Sequence, residues 1–206
     1  MPTLYIVLTH TGTFVSKTIR LYTRAQYTHV SISFNKNLDY LYSFGRKKLR
    51  NPFVGGFVKD GKNQGIYRVY KNTSCEVYEV DVEETKYHRA KRLVESFEKR
   101  EHKLKYNFLG IFTIMFGHGR QRKDYYFCSQ FVAEILDKSG IISFDKNYAL
   151  VKPVDFFLKK QQFKLIYHGL LSQYESNTNP ISPIYPLKEM MFVDRNYYYF
   201  TDLHKF

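Results

Sequence analysis

The chain has 206 residues, 44% of them hydrophobic, which is enough for one domain with a buried core and excludes a disordered chain. Two cysteines exclude a fold held by a disulfide framework, and no apolar run reaches the roughly 18 residues of a membrane span. The net charge of +13 either attracts an anionic partner or serves solubility. Free thiols and the lack of a secretion-signal pattern lead us to expect a cytoplasmic protein.

The first part of the chain is predicted to consist mainly of strands. The alternation in 27–34 places His29, Ser31 and Ser33 on the polar face of one strand. Residues 45–65, rich in glycine and lysine, predict an irregular and mobile loop with a turn at the two glycines 55–56. Strands are predicted at 4–8, 27–34, 39–44, 66–70 and 75–82, with an amphipathic helix at 13–24.

The second part is predicted to be mainly helical. Helices are expected at 83–101, at 128–139 with Gly140 ending it, and from Pro153 to Lys160, before a last strand at 163–167. This composition predicts an α+β fold in which an antiparallel sheet packs against helices. We expect one domain over residues 1–170, with 171–206 as a Tyr- and Pro-rich C-terminal extension docked on it.

Cys128 is the leading candidate for chemistry because it stands at the start of a predicted helix. A helix N-terminus favours a thiolate, and Arg122 and Lys123 act in the same direction. A thiol nucleophile also needs a base, and His29, held on a strand, is the best placed imidazole. The alternative interpretations are a small buried core residue for Cys128 and a solvent-facing strand residue for His29.

Other side chains offer alternatives. His118, ten residues before Cys128, is the second candidate base, and His10 is the third. Tyr125 and Tyr126 either supply a hydroxyl to an oxyanion or line a cleft, whereas Asp155 reads as a helix-start residue. The chain has no zinc-finger spacing and no phosphate-binding glycine loop, so we predict neither a metal nor another cofactor.

Two motifs together resemble a known superfamily. The segment THVSISF at 28–34, followed much later by YFCSQFVAEIL at 126–136, is similar to the circularly permuted branch of the NlpC-type, papain-like superfamily. That branch includes cell-wall peptidases and acyltransferases of the lecithin-retinol type. KYNFLGI at 105–111 and KPVDFF at 152–157 also fit it. The resemblance covers about residues 1–170 and implies a papain-like fold in which the histidine strand precedes the cysteine helix.

The resemblance assigns roles to individual residues. It implies Cys128 as nucleophile and His29 as base. A polar side chain on the next strand then orients the histidine, and of the polar residues at 39–43 we favour Ser43 by position. A serine hydroxyl accepts a hydrogen bond from an imidazole but does not stabilise an imidazolium as a carboxylate does. The candidates for holding the oxyanion or lining the cleft are Tyr126, Ser129 and Gln130.

Two functions are therefore in competition. The first is a cysteine hydrolase or acyltransferase whose substrate is a peptide, an isopeptide or an acyl lipid. The second is an inactive member of the fold that binds nucleic acid, a lipid head group or an acidic polymer. A lowered pKa of the Cys128 thiol favours the enzyme. The residues expected to hold the anionic partner are Arg46, Lys47, Lys48 and Arg50.

Overall fold

The structure is a computed structural model that describes residues 1–13, 16–17, 20–21, 25–48, 51, 54–107, 122–159 and 162–177. Six strands form one sheet in which every neighbouring pair is antiparallel. They are β1 (Thr3–His10), β2 (His29–Ser33), β3 (Leu41–Arg46), β4 (Gly55–Asp60), β5 (Ser74–Asp81) and β8 (Lys164–Leu170). Their order across the sheet is β4, β3, β2, β1, β5, β8.

Four α-helices and two short 3-10 turns, at Tyr148–Leu150 and Leu171–Gln173, have both ends within the described residues. Gly140, at φ 74°, follows the helix at 128–138, and the amide of Ile141 donates to the carbonyl of Leu136, so the predicted helix end is confirmed. The helices are α1 (Gly65–Val69), α2 (Glu84–Glu98), α3 (Cys128–Lys138) and α4 (Pro153–Leu158). The fold is therefore α+β with an antiparallel sheet, as predicted.

Hydrophobic side chains are buried on both faces of the sheet. On one face, helices α2 and α3 cover an aromatic cluster in which the Phe131 ring lies 5.0 Å from Phe97 and 5.5 Å from Phe44. We call this face the helix face. On the other face, Leu41, Tyr67 and Val77 belong to a second cluster. The polar side of β2, with His29 and Ser31, faces the same way as Val7 of β1 and so lies on the second face.

Two predictions for residues 45–70 are wrong. Residues 55–60 are not a loop with a glycine turn but strand β4, paired along its length with β3. Glycine is needed there because a Cβ on Gly56 would lie 2.5 Å from the carbonyl oxygen of Leu104. Residues 66–70 are not a strand: Gly65–Val69 is helix α1, in which Tyr67 is buried while Val69 is 55% exposed. Tertiary contacts of Tyr67 outweigh the β propensity of this segment.

A small parallel sheet brings Tyr106 close to the start of α3. Its two strands are β6 (Lys105–Tyr106) and β7 (Tyr125–Tyr126). The amide of Asn107 donates to the carbonyl of Tyr126 at 3.1 Å. Because β7 runs directly into Cys128, this pairing sets the position of residues 105–107 relative to the first turn of α3.

The beginning of the predicted C-terminal extension packs on the domain. Tyr174 is 2% exposed within the second cluster, and its hydroxyl donates to the carbonyl of Lys36 at 2.8 Å. Lys62 donates to the carbonyl of Tyr174 at 2.6 Å. Residues 178–206 lie outside the described residues, as does most of the helix predicted at 13–24, where Ser16 and Lys17 are helical. Within the described ranges, no helix has the length and apolarity needed to span a membrane.

Candidate functional site

Cys128 is the first residue of α3, and its side chain is 4% exposed at the helix face of the sheet. The residue before the helix, Phe127, cannot cap it with a side-chain hydrogen bond. The backbone amides of the first turn therefore receive no hydrogen bond acceptor from a capping side chain. The amides of Cys128, Ser129 and Val30 and the hydroxyl of Tyr106 all donate toward Sγ.

Burial nevertheless controls the ionisation of this thiol. Removal from water raises the pKa of Cys128, and the three amides and the Tyr106 hydroxyl offset only part of that effect. Neither Arg122 nor Lys123 influences this pKa, and the Arg122 guanidinium instead lies 4.0 Å over the ring of Tyr125. The prediction of a lowered thiol pKa is therefore wrong, because it considered the helix terminus and omitted the cost of burying the charge.

His29 is the first residue of β2 and is partly exposed. Burial lowers the pKa of its imidazole to about 4, so the ring is neutral near pH 7. The described residues provide no carboxylate near the ring and no hydrogen bond to it. The ring packs across Gly45 of β3, where a Cβ would lie 3.8 Å from Cε1 of the histidine.

Strands β2 and β3 are not paired next to His29, and the thiol of Cys128 contacts the backbone of β2 there. The two strands pair at Ile32 and Tyr42, and the same register would place Val30 opposite Phe44, where no ladder pair forms. The backbone N–H and C=O of Val30 instead bind two side chains. Its amide donates to Sγ of Cys128, and its carbonyl accepts a hydrogen bond of 2.7 Å from Ser43 Oγ. The sulfur, which approaches from the helix face, therefore contacts the backbone of Val30, the residue after His29.

A pocket opens beside this unpaired stretch on the second face. Tyr106 connects the pocket to the thiol, since its side chain lines the pocket and its hydroxyl donates to Sγ, while Cys128 itself is not part of the wall. Burial raises the pKa of Tyr67 to about 12, although the hydroxyls of Thr9 and Ser31 beside it partly offset this. The pocket walls include His29, Ser43, Arg46, Asp60, Tyr67 and Tyr106.

The other predicted site residues occupy varied positions. Ser43 shares the pocket with His29, but its hydroxyl proton is directed at Val30. Ser129 Oγ donates to the carbonyl of Val151 at 2.5 Å, so this side chain holds α3 against the following segment. Gln130 is 1% exposed, and its Nε2 has no partner among the described residues. The ring of Tyr126 packs 5.0 Å from Phe44 and 5.1 Å from Phe97.

The alternative bases and the helix-start residue are also located. His10 lies next to the pocket wall, with Nδ1 2.8 Å from the Oγ of Ser16, which lines the pocket, and burial lowers the pKa of the His10 ring. His118 lies outside the described residues. Asp155 accepts a hydrogen bond of 2.7 Å from the amide of Lys152 and so begins α4 as expected. No group of three or more metal-ligating side chains occurs within the described residues.

The predicted basic cluster is not one continuous surface. Arg46 turns its side chain to the pocket and acts on the pKa of Tyr106, whereas Lys47 and Lys48 are exposed. Arg50 lies outside the described residues. Sequence reasoning did not single out Tyr106 or Tyr67. The hint for Tyr106 was its place in the segment 105–111, which also carries part of the resemblance.

Comparison with known proteins identifies no relative of this chain. No protein-family model, no curated protein and no solved structure matches this chain.

Proposed function

We propose that this chain is a cysteine hydrolase or acyltransferase with a circularly permuted papain-like fold. It acts on an amide or acyl-ester bond through Cys128 and His29. The proposal rests on the contact between Sγ of Cys128 and the backbone of Val30. The thiol at the start of α3 accepts a hydrogen bond from Val30, directly after His29 on β2. The order of histidine strand before cysteine helix is the one that the resemblance implies.

The chemistry begins from a neutral pair. Because burial raises the pKa of Cys128 and lowers that of His29, the proton stays on sulfur at rest. As Sγ bonds to the acyl carbon, the thiol proton moves to a ring nitrogen of His29 and the carbonyl electrons move to oxygen. The amides at the start of α3 and the Tyr106 hydroxyl are the donors available to that oxygen.

The intermediate then collapses to a thioester. The carbonyl re-forms, the bond to the leaving nitrogen or oxygen breaks, and the imidazolium of His29 returns its proton to the leaving group. Water resolves the thioester in a hydrolase, and an amine or alcohol resolves it in a transferase. Ser43 acts as a positioning residue, since its oxygen can accept from the ring while its proton is held by Val30.

The test is to trap the thioester. The full chain is incubated with 4-nitrophenyl acetate, and acylated peptides are quantified by mass spectrometry. Acylation is expected at Cys128, to disappear in Cys128→Ala, and to slow by about 10²- to 10⁴-fold in His29→Gln. Cys75 is the internal control, because burial raises the pKa of its thiol to about 12. Acylation of Cys128 no faster than that of Cys75 contradicts the proposal.

A second candidate function is a binding module for an anionic polymer. Two observations favour it: the raised pKa of Cys128 and the absence, among the described residues, of a carboxylate at His29. Lys47 and Lys48 follow Arg46 in the chain, are exposed and supply positive charge. This function requires no reactive thiol.

Fluorescence anisotropy of a labelled single-stranded oligonucleotide tests this candidate. The binding module predicts an affinity that falls at least tenfold between about 50 mM and about 200 mM salt. It also predicts weaker binding by the double variant Lys47→Gln/Lys48→Gln and unchanged binding by Cys128→Ala. Affinity that is unaffected by the double variant rejects it.

A further inference from the structure

Arg46 is a partly buried cation for which the described residues provide no anion. It is the last residue of β3, and its side chain lines the pocket. Its Nη2 is buried without a hydrogen-bond partner, and no described carboxylate lies within ion-pair distance of it. A guanidinium keeps its charge at any ordinary pH, so burying it unpaired is unfavourable. The position therefore suits an anion that binds there.

This charge lies in the pocket that Tyr106 connects to the thiol. Arg46 lines the pocket together with Ser43 and Gly45 of the same strand, and His29 and Tyr106 belong to the same wall. Arg46 acts electrostatically on Tyr106, whose hydroxyl donates to Sγ. An anion on Arg46 is therefore next to the side chain that contacts the thiol.

A second unsatisfied polar group lies in the same pocket. Ser31 is 1% exposed and lines the pocket, and its Oγ has no hydrogen-bond partner among the described residues. Its hydroxyl also acts on the pKa of the buried Tyr67 phenol beside it, so the two hydroxyls form a polar part of the pocket wall that a ligand can contact.

The charged residues that line the pocket restrict the charge that a ligand can carry. Asp60 lines the same pocket, but it is opposite Leu41 in the β3–β4 ladder, five residues from Arg46 on β3 or about 17 Å along the strand. Among the described residues that line the pocket, Arg46 is the one that supplies positive charge. One guanidinium with neutral hydroxyls suits a group of charge −1 better than a phosphate of charge near −2.

We propose that Arg46 binds a carboxylate of the substrate in the pocket that holds His29 and that Tyr106 connects to Cys128. The substrate class is then an acyl compound with a free carboxylate close to the bond that is cleaved, such as a peptide with an acidic side chain or a free C-terminus. This inference rests on the proposed function, since it concerns the substrate of the same thiol.

The chain itself contains one competing source of carboxylates. The parts of the sequence that the structure does not describe hold three acidic residues, all near the C-terminus: Glu189, Asp194 and Asp202. The experiment must therefore separate a substrate carboxylate from one in this tail.

The test compares two 4-nitrophenyl esters that differ in one charge, the hemiadipate and its methyl ester, because the longer chain disfavours attack of the carboxylate on its own ester. Acylation of Cys128 by each is followed by mass spectrometry in the full chain. The ratio of the hemiadipate rate to the methyl-ester rate is expected to exceed one and to fall at least about tenfold in Arg46→Gln. The exposed Arg68 gives the matched control Arg68→Gln, in which the ratio stays unchanged.

The possible failures are distinguishable. No acylation of Cys128 by either ester contradicts the proposed function. Acylation by both esters with a ratio that Arg46→Gln does not change overturns the carboxylate inference alone. Stronger inhibition by inorganic phosphate than by succinate assigns Arg46 to a phosphate and also overturns it. A faster hemiadipate reaction in a triple variant neutralising the tail carboxylates, with a gain that Arg46→Gln abolishes, shows that the tail competes for Arg46 and supports the inference.

Discussion

Replacing His29 by glutamine is expected to make the stability of the protein less sensitive to acid. Burial lowers the pKa of His29 from 6.5 to about 4 in the folded chain. Between these values the unfolded chain binds a proton that the folded chain does not bind. The contribution of His29 to the free energy of unfolding is therefore fully present above pH 6.5 and is lost as the pH falls toward about 4.

The size of the effect follows from the difference of about 2.5 pH units. At about 1.36 kcal/mol per unit the limit is about 3 kcal/mol. Partial exposure of the ring and a measurement that stops at about pH 4.5 reduce the observable part to about 2 kcal/mol. We therefore expect the wild type to lose about 2 kcal/mol more than His29→Gln between about pH 7 and about pH 4.5.

Urea unfolding at these two pH values measures this difference. His102→Gln is the matched control, because His102 is exposed in a turn, and it is expected to behave as the wild type. The comparison between variants cancels the titration of all other groups, including Asp60, whose pKa is raised by burial. Equal losses in wild type and His29→Gln would refute the reasoning, since His29 would then protonate as it does in the unfolded chain.

Two further predictions concern the thiol and the sheet. Tyr106→Phe removes a donor to Sγ and is expected to raise the pKa of Cys128 further, which slows alkylation by iodoacetamide about tenfold near pH 8. Tyr125→Phe is the control and is expected to have no effect. Equal rates in the two variants would show that the Tyr106 hydroxyl does not act on the sulfur. Gly56→Ala is expected to destabilise the fold by about 2 kcal/mol or more in urea unfolding, because its Cβ would lie 2.5 Å from a backbone oxygen. Gly45→Ala, where the nearest atom would be 3.6 Å away, is the control, and equal losses would contradict the close approach.

The sequence predicted those features that depend on local pattern. The alternation around His29 gave the correct strand and the correct shared face, and the spacing of apolar residues after Cys128 gave helix α3. Strand β4 was missed because its paired glycines resemble a turn, and they are needed only where Leu104 approaches from elsewhere in the chain. The pKa of Cys128 was mispredicted for the same reason: the helix terminus is visible in the sequence, but burial is not.

The neutral state of the thiol and the imidazole changes how reactivity is to be measured. Iodoacetamide reacts with a thiolate, so slow alkylation of Cys128 follows directly from the raised pKa of this buried thiol. An acyl substrate differs, because the proton leaves sulfur for His29 while the new bond forms, and no stable ion pair is required beforehand. The alkylation rate thus reports on burial and on the donors to Sγ. Only acylation that depends on His29 reports on catalysis, and for this pair the acyl probes are therefore the decisive measurement.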